Sequence, residues 1–440
     1  MLRNCSRRRL GNFGLFASQL YLPILCMLAA CTSCDLNSFC DRPGIFPLVT
    51  GTACDPTGPP DACTSPDQTG VLMLGTMLDL GGSLVTQVSG MSCDGSEIVG
   101  TLLLANEPSG KSSSNSSPIA RTEAFRLTSI DGVEPIGFID DTDLNLSEAR
   151  AVSADGRIII GESTSPDGRQ GFRWTRTGGF VPLETAPDPI ILLSANAVSG
   201  DGSLVVGSAN ARSSPSLAFR WTETDGYHLF SVPSLENRSC SADHVSDDGR
   251  VIAGKVDFAR HRRVFRWTEE SGAVVIDDSP DPKSWSRAND ISGDGSTIVG
   301  LRVHQNVAEP FRWTQEEGLV GLGGMPEDRI GEFADAPPNS TVSAGGSSVA
   351  NLGNANATSF DGSVIVGSAN IGKVHSVAFI WDAENGMRPI VSLLSEEDKA
   401  MLEGWWLTSA TVISADGRTV AGMARNPDDI PDMWVARLPG

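Results

Sequence analysis

Apolar and polar residues alternate in short runs along this chain, and the runs return many times in the same order. In residues 195–230, "ANAVS" and "SLVVG" flank Gly200-Asp201-Gly202, and "AFRWT" and "GYHLF" follow after polar loops. A period of two is typical of β-strands, and Asp-Gly favours a hairpin because glycine tolerates positive φ. The pattern therefore predicts four short antiparallel strands. The third of them places Phe219 and Trp221 on one face and Arg220 on the other.

The first hairpin returns seven times as Ser-x-Asp-Gly-x-x-apolar-apolar-Gly. Its aspartates are Asp94, Asp155, Asp201, Asp248, Asp294, Asp361 and Asp416. One carboxylate per repeat cannot supply the six to eight oxygens that a calcium ion takes, whereas Asp before Gly suits a tight turn. We therefore interpret these residues as structural turns. The basic period of about 46 residues, as between Asp155 and Asp201, is typical of propeller blades.

The two ends of the repeat region are complementary. The seventh copy ends at "DMWVARLPG" after its third strand, and "GVLML" at 70–74 fits the fourth-strand pattern without earlier strands of its own. Pairing them closes the ring and removes open sheet edges, whereas an open β-solenoid would leave the complementary ends unexplained. The sequence thus predicts an all-β fold, a seven-bladed β-propeller over residues 70–440. Cys93 and Cys240 fall in blades one and four, so no disulfide should join them.

The full pattern resembles a known class of exported proteins. Together with the turns and the "AFRWT"-like strands, "LDLGG" at 78–82 and "VGLGGMP" at 320–326 are similar to the HAF-type extracellular repeat proteins. The ending from "LSEEDKAMLEGWW" onward also resembles the last repeat of bacterial proteins that carry PEP-CTERM sorting tails, although no sorting motif follows here. The resemblance implies an exported β-repeat protein and brings no catalytic residues.

The first 30 residues are typical of a secretory signal, with a basic start, an apolar run and small residues before Cys31. Leu28-Ala29-Ala30-Cys31 resembles a bacterial lipobox, which implies lipidation of Cys31. We divide the chain into a lipoprotein signal peptide (1–30), a linker rich in Cys, Pro and Gly (31–69) and the propeller (70–440). Export favours disulfides, but the pairing of Cys34, Cys40, Cys54 and Cys63 stays open.

Composition restricts the partners. The net charge of −21 repels phosphate backbones and anionic lipids, which argues against nucleic acid and leaves the lipid anchor as the membrane contact. We expect a monomer in the bacterial cell envelope, anchored at the outer membrane or cell surface. It would act as a non-enzymatic scaffold that binds a protein or glycan. A polysaccharide-acting enzyme and a purely structural component are the alternatives.

Few residues stand out as binding candidates. A basic cluster and three tryptophans outside the repeat pattern could contact a ligand; they are Arg260, Arg262, Arg263, Trp285, Trp405 and Trp406. A solvated loop is the alternative for the arginines, and docking of a short helix capped by Ser395 is the alternative for Trp405 and Trp406.

The sequence nominates no catalytic residue and no cofactor other than calcium. Asp141, Asp143 and Asn145 alternate as in calcium loops but lack the turn glycine and the full ligand set. The five histidines show no metal-ligand spacing, and no nucleophile motif occurs. We expect the third-strand arginines to pair with acidic neighbours; they are Arg126, Arg173, Arg220, Arg266 and Arg312. Two carboxyl groups with perturbed pKa values in the central channel would favour the enzyme.

Overall fold

The computed structural model of the chain describes most of the repeat region. The described residues are 70–73, 84–104, 121–129, 131–140, 146–166, 168–183, 190–211, 215–233, 235, 237–258, 261–281, 283–329, 350–371 and 375–439. The predicted signal peptide, the linker with Cys31, Cys34, Cys40, Cys54 and Cys63, and most of the two long insertions in the repeat pattern, 102–121 and 326–354, lie outside them. No helix within these ranges is both long enough and apolar enough to cross a membrane.

The described residues fold into seven antiparallel sheets, one for each copy of the repeat. Blade 1 consists of β2 (Leu84–Met91), β3 (Glu97–Leu103), β4 (Thr122–Thr128) and β5 (Gly132–Gly137). Blade 2 consists of β6 (Ser147–Val152), β7 (Ile159–Ser165), β8 (Gly168–Thr175) and β9 (Gly179–Pro182). Blade 3 consists of β10 (Ile190–Val198), β11 (Leu204–Ala211), β12 (Leu217–Thr222) and β13 (Gly226–Phe230). The alternating pattern therefore predicts the strands of each blade in the correct order.

Blades 4 to 7 repeat this arrangement. Blade 4 consists of β14 (Cys240–Val245), β15 (Ile252–Asp257), β16 (Arg262–Thr268) and β17 (Gly272–Val275), and blade 5 of β18 (Trp285–Ile291), β19 (Thr297–His304), β20 (Val307–Thr314) and β21 (Gly318–Gly321), with β22 (Ala350–Asn351) added in parallel beside β20. Blade 6 consists of β23 (Gly353–Thr358), β24 (Val364–Ile371), β25 (His375–Asp382) and β26 (Gly386–Pro389). Blade 7 contains β27 (Trp406–Ile413), β28 (Thr419–Arg425) and β29 (Pro431–Arg437). One α-helix, α1 (Glu396–Met401), precedes the seventh blade and is capped by Ser395, as predicted.

The N-terminal strand β1 (Gly70–Met73) completes the seventh blade. It pairs antiparallel with β29, with Gly70 opposite Arg437 and Met73 opposite Trp434. Val71 is 3% exposed within the blade's core. The predicted ring closure is therefore confirmed, because the orphan strand occupies the vacant edge.

Each Ser-x-Asp-Gly turn is held by the same hydrogen bonds. In blade 3 the Ser199 hydroxyl donates to Asp201 (2.6 Å) and accepts from the Leu204 N–H (3.0 Å), while Asp201 also accepts from the Ser203 N–H (2.9 Å). Gly202 has φ +72°, a backbone conformation that glycine adopts without strain. The serine-to-aspartate bond recurs in all seven blades.

The last glycine of the motif allows the blade to close over its own aromatic core. In blade 3, a Cβ on Gly207 would lie 1.9 Å from the Ser194 carbonyl oxygen and 2.8 Å from the ring of Phe219. The same crowding recurs at Gly100, Gly161, Gly254, Gly300, Gly367 and Gly422, although in blade 7 it comes from backbone alone. Phe219 and its counterparts in blades 1, 2, 4, 5 and 6 are fully buried. The motif therefore reflects two structural requirements, which are the turn and the close approach between strands.

The third-strand arginines follow two patterns. Arg126 pairs with Glu97 (3.0 Å), Asp131 (2.7 Å) and Glu134 (2.8 Å), as predicted, and Arg312 pairs with Glu317. The prediction was wrong for the two arginines of blades 3 and 4. They stack over the tryptophan of the following blade, Arg220 over Trp267 at 5.2 Å and Arg266 over Trp313 at 5.8 Å, which joins neighbouring blades by cation–π contacts.

The two cysteines within the repeats are not bonded to each other. Cys93 forms a disulfide, whereas Cys240 is a buried free thiol. Burial raises the pKa of the Cys240 thiol. The predicted absence of a bond between Cys93 and Cys240 is therefore confirmed, as expected for blades on different sides of a ring.

Candidate functional site

A closed ring of backbone hydrogen bonds surrounds one end of the central channel. In each turn, the residue between Ser and Asp contributes to this ring. The bonds run from N–H to carbonyl as Cys93 to Ala154, Ala154 to Gly200, Gly200 to Asp247, Asp247 to Gly293, Asp294 to Phe360, Phe360 to Ala415 and Ala415 to Cys93. The ring fixes the seven blades around the channel, and its step from blade 5 to blade 6 is irregular because Asp294 replaces Gly293 as the donor.

The innermost strand of every blade carries a β-bulge three residues before the motif serine. The residue at this position is polar in all seven blades: Ser89, Arg150, Asn196, Asp243, Asn289, Asn356 and Thr411. Because a bulge re-aims side chains, it can turn these polar groups towards the channel. All but Asp243 line a cavity of about 220 Å³.

Most of these bulge residues join one blade to the next. The Asn196 amide donates to the Ala242 carbonyl (2.9 Å), that of Asn289 to Ala355 (2.6 Å) and that of Asn356 to Ala410 (2.7 Å). The Ser89 hydroxyl donates to the Ala149 carbonyl at 2.6 Å in the same way. These side chains are therefore occupied by structural bonds.

Blades 4 and 5 depart from the repeat at the channel, where Arg150 is the other charged side chain among the described lining residues. Two residues before the serine, the other blades carry Gly, Ala or Val, whereas blade 4 has His244 and blade 5 has Asp290. Between Ser and Asp, only blade 4 has an ionisable carboxyl, Asp247. All three residues line the cavity. Sequence analysis missed them, and superposing the seven copies position by position would have found them.

The three side chains differ in how their polar atoms are used. Asp290 accepts from the Ile291 N–H and the Thr358 N–H, both at 2.9 Å. The Ala288 backbone carbonyl acts on the His244 imidazole and favours its protonated form, but burial outweighs this effect on the pKa. Among the described residues, no donor forms a hydrogen bond to the Asp247 carboxylate. Its Oδ2 lies beside Gly293, where a Cβ would come within 2.9 Å of it. Asp247 therefore offers a free acceptor to whatever enters the channel.

Burial shifts the ionisation of all three groups. It raises the pKa of Asp290 to about 7 against the lowering effect of the two backbone donors, and the Asp247 charge raises it further. Burial, followed by the charges of Asp248 and Asp294, raises the pKa of Asp247 to about 6. Burial lowers the pKa of His244 to about 4. The imidazole is therefore neutral at pH 7, and the two carboxyls titrate near neutrality.

The structure gives structural roles to part of the predicted basic cluster. Arg263 is 9% exposed and donates to the backbone carbonyl (2.9 Å) and the carboxylate (3.0 Å) of Asp277, so it is not available as a surface binding residue. Arg262 is exposed and lies 4.0 Å from Asp257. Arg260 lies outside the described residues. The cluster is therefore not a single basic surface.

The three predicted tryptophans do not form one platform. Trp406 is 8% exposed and its indole N–H donates to the Ser376 carbonyl at 2.7 Å, so the prediction of an exposed aromatic was wrong for this residue. Trp405 is half-buried against the core of blades 6 and 7. Trp285 begins the first strand of blade 5, opposite Val303. Trp405 and Trp406 belong to the segment that follows α1, and the packing of this segment explains their burial.

The calcium candidates Asp141, Asp143 and Asn145 lie outside the described residues. Within the part of the chain that the structure describes, no three His, Cys, Asp or Glu side chains are grouped as metal ligands. The channel, with its two carboxyls and neutral imidazole, is therefore the candidate site that the geometry supports.

Solved structures of similar fold include enzymes. No family model and no curated protein matches the sequence. An oligogalacturonate lyase in complex with manganese is 12% identical, with a TM-score of 0.51 over 84% of this chain and 93% of that chain. An oligogalacturonate lyase from Vibrio parahaemolyticus is 11% identical, with a TM-score of 0.51 over 84% and 94%. A prolyl endopeptidase is 12% identical, with a TM-score of 0.50 over 80% and 46%. At these identities the likeness shows the propeller fold alone.

Proposed function

We propose that this protein is a non-enzymatic, lipid-anchored binding scaffold of the bacterial cell envelope, and that it recognises a group of a glycan or protein in its central channel. The observation that carries the proposal is the free Asp247 carboxylate in a cavity built from all seven blades. Asp247 is half-buried and its carboxylate has no hydrogen-bond partner among the described residues, so part of its hydration is lost without replacement, which costs free energy. A group that binds there offsets this cost, which gives the departure from the repeat a functional reason.

Envelope anchoring is the second part of the proposal and rests on the sequence. The lipobox-like Leu28-Ala29-Ala30-Cys31 and the resemblance to exported repeat proteins support it. A lipid on Cys31 would hold the propeller at a membrane whose anionic headgroups the acidic chain repels. Metabolic labelling with a fatty acid tests this part, since labelling should be lost in Cys31→Ala.

An aromatic side chain added to the wall of the channel tests whether the channel is the binding site. Gly200 lines the channel at the position that holds Phe360 in blade 6. The Phe360 ring lies against Gly293 of the preceding blade, whereas the preceding blade has Ala154 beside Gly200, so we expect the ring added at residue 200 to turn into the channel. Gly200→Phe should fill the channel, whereas Thr224→Phe adds the same side chain at an exposed turn of blade 3. The full chain and both variants are applied to an array of glycans and to an array of envelope proteins.

We expect saturable binding by the wild type and Thr224→Phe, and its loss in Gly200→Phe. Binding to glycans alone or to proteins alone identifies the partner class. Binding that Gly200→Phe leaves intact would place recognition outside the channel and contradict the proposal.

A polysaccharide-acting enzyme is the second candidate, favoured by one observation. Asp247 and Asp290 are interacting carboxyls with raised pKa values in the channel, and a carboxyl with a raised pKa is what the general acid of glycosidic-bond cleavage needs beside a second carboxyl group. The geometry favours binding, because both carboxylate oxygens of Asp290 already accept backbone N–H groups. Chain scission of a polysaccharide by the wild type that is absent in Asp247→Asn would support the enzyme instead.

A further inference from the structure

We propose that the group bound in the channel is a protonated amine, held by Asp247 with Asp290 behind it. The inference rests on the proposed binding function and names its ligand chemistry. It follows from the charge balance of the channel, from its hydrogen-bond donors and acceptors, and from the way in which blades 4 and 5 break the repeat.

The only cation that lines the channel, among the described residues, is already neutralised. Arg150 lies 3.0 Å from Glu162 and 3.9 Å from Glu148, and it donates to the Asn196 side-chain oxygen at 3.1 Å. In the same way, the bulge residue Asp243 is paired with Lys255 at 3.1 Å. The charges of Arg150 in blade 2 and Asp243 in blade 4 are therefore balanced by neighbouring side chains of opposite charge.

Asp247 and Asp290 have no such partner. No Lys, Arg or His of the described residues forms an ion pair with either of them, and His244 is neutral at pH 7. The nearby Asp248 and Asp294 add to the negative potential, since both raise the pKa of Asp247. An anionic ligand would be repelled from this wall of the channel, and a cation would supply the missing charge.

The hydrogen-bonding inventory indicates an ammonium group. A carboxylate only accepts hydrogen bonds, and Asp247 accepts none from the described residues, so the ligand must donate. An ammonium group offers three donors and a positive charge in a small volume. A hydroxyl offers one donor and no charge. A calcium ion would need six to eight oxygens, and the described part of the chain holds no cluster of metal-ligating side chains.

The shape of the site agrees with a small head group. The cavity of about 220 Å³ is bounded by the backbone ring. Gly293 lies where Asp247 and Phe360 approach each other: a Cβ on this residue would come within 2.9 Å of Asp247 Oδ2 and 2.3 Å of the Phe360 ring. A side chain on Gly293 would cover the Asp247 carboxylate. The glycine therefore keeps the carboxylate open to the channel.

Calorimetric titration of the full-length protein at pH 7.5 tests the proposal with matched pairs of probes. Each amine is compared with a neutral counterpart: 1,4-diaminobutane with 1,4-butanediol, Nα-acetyl-lysine amide with its Nε-acetyl form, and a glucosamine oligomer with an N-acetylglucosamine oligomer. The three pairs distinguish a free amine, a protein side chain and an amino sugar as the source of the ammonium group.

The variants are Asp247→Asn and Asp428→Asn. Both remove one carboxylate, but Asp428 lies on the exposed turn before β29. We expect at least one amine to bind at least about tenfold more tightly than its neutral counterpart, and Asp247→Asn to lose that preference while Asp428→Asn keeps it. Gly293→Ala, which covers the carboxylate, is the second channel variant and should also lose it.

Two results would overturn the inference, besides the absence of any amine binding. One is equal binding of amines and neutral counterparts, and the other is equal affinity of the two Asp→Asn variants for the amine. If no amine binds but a glycan or protein ligand is still lost in Gly200→Phe, the ammonium inference fails and the channel-binding function stands. If Gly200→Phe changes no binding, the proposed function itself fails.

Discussion

Aspartate has two distinct roles in this propeller. The turn aspartates are surrounded by donors: burial alone would raise the pKa of Asp201, but hydrogen bonds from Ser199 and Ser203 outweigh it and lower the pKa. Asp247 has the same side chain without the donors, and its pKa rises. The sequence motif predicts the first role because it is local. The second depends on seven blades meeting at a channel, which no local pattern records.

Burial of His244 should make the free energy of unfolding depend on pH, and a variant at this residue can isolate that dependence. Burial lowers its pKa in the folded state to about 4, from 6.5, so the unfolded chain binds more protons between these values. Its contribution to stability is therefore present above pH 6.5 and is lost as the pH falls towards 4. The loss has an upper bound of about 3 kcal/mol.

Chemical unfolding of the wild type and His244→Gln at several pH values measures this contribution. The free energy of unfolding of the wild type, relative to the variant, should decrease as the pH falls from 7 to 4.5. Asp247 and Asp290 act in the opposite direction, because their raised pKa values favour the fold at low pH, but they are present in both proteins and largely cancel. A difference that is constant with pH would contradict the burial of His244.

At the scale of the strand, the repeat motif predicts the buried face of each strand, but it predicts neither the bulges nor the contacts between blades. The alternation predicts which residues share a face, and the fully buried Phe125, Phe172 and Phe265 agree with it. The bulge before each motif serine was not predictable from alternation, because it adds a residue that breaks the period of two. The cation–π contacts between blades were missed because Arg220 and Trp267 belong to different copies.

Two glycines of blade 3 separate close approach from backbone strain. Alanine at Gly207 would place its Cβ 1.9 Å from the Ser194 carbonyl oxygen, whereas alanine at Gly226 meets nothing within 4 Å and only adopts φ +66°. We expect Gly207→Ala to lower the free energy of unfolding by at least about 3 kcal/mol and Gly226→Ala by roughly 1–2 kcal/mol.

Denaturant unfolding of the two variants provides the comparison. Each variant is the matched control of the other, because both add one methyl group to the same blade. Equal destabilisation would show that the close approach at Gly207, which has no left-handed φ, costs no more than the backbone strain at Gly226. It would then contradict the close contact between the inner strand and the core.

At the scale of the whole molecule, the sequence predicts the ring, because the number of strands in the repeats can be counted from the sequence. Seven copies, one missing strand and one orphan strand allow a single closure, and β1 beside β29 is that closure. The candidate site was predicted only in outline: two carboxyls in the central channel were expected of an enzyme, but no residue was assigned to them. Loops and exposed tryptophans were favoured, yet Trp406 packs in the core. The channel residues stand out when the seven copies are compared position by position, and the structure shows that these positions meet at the channel.

The central claim is that the constant aspartates hold the scaffold and the exceptional ones, Asp247 and Asp290, form the site. Titration of aspartate carboxyl carbons by NMR, with Asp247→Asn and Asp290→Asn for assignment, tests it most directly. We predict that Asp247 titrates at about 6 and Asp290 at about 7, while Asp201 titrates below its ordinary pKa. Titration of Asp247 and Asp290 near about 4, as in a free aspartate, would contradict the account.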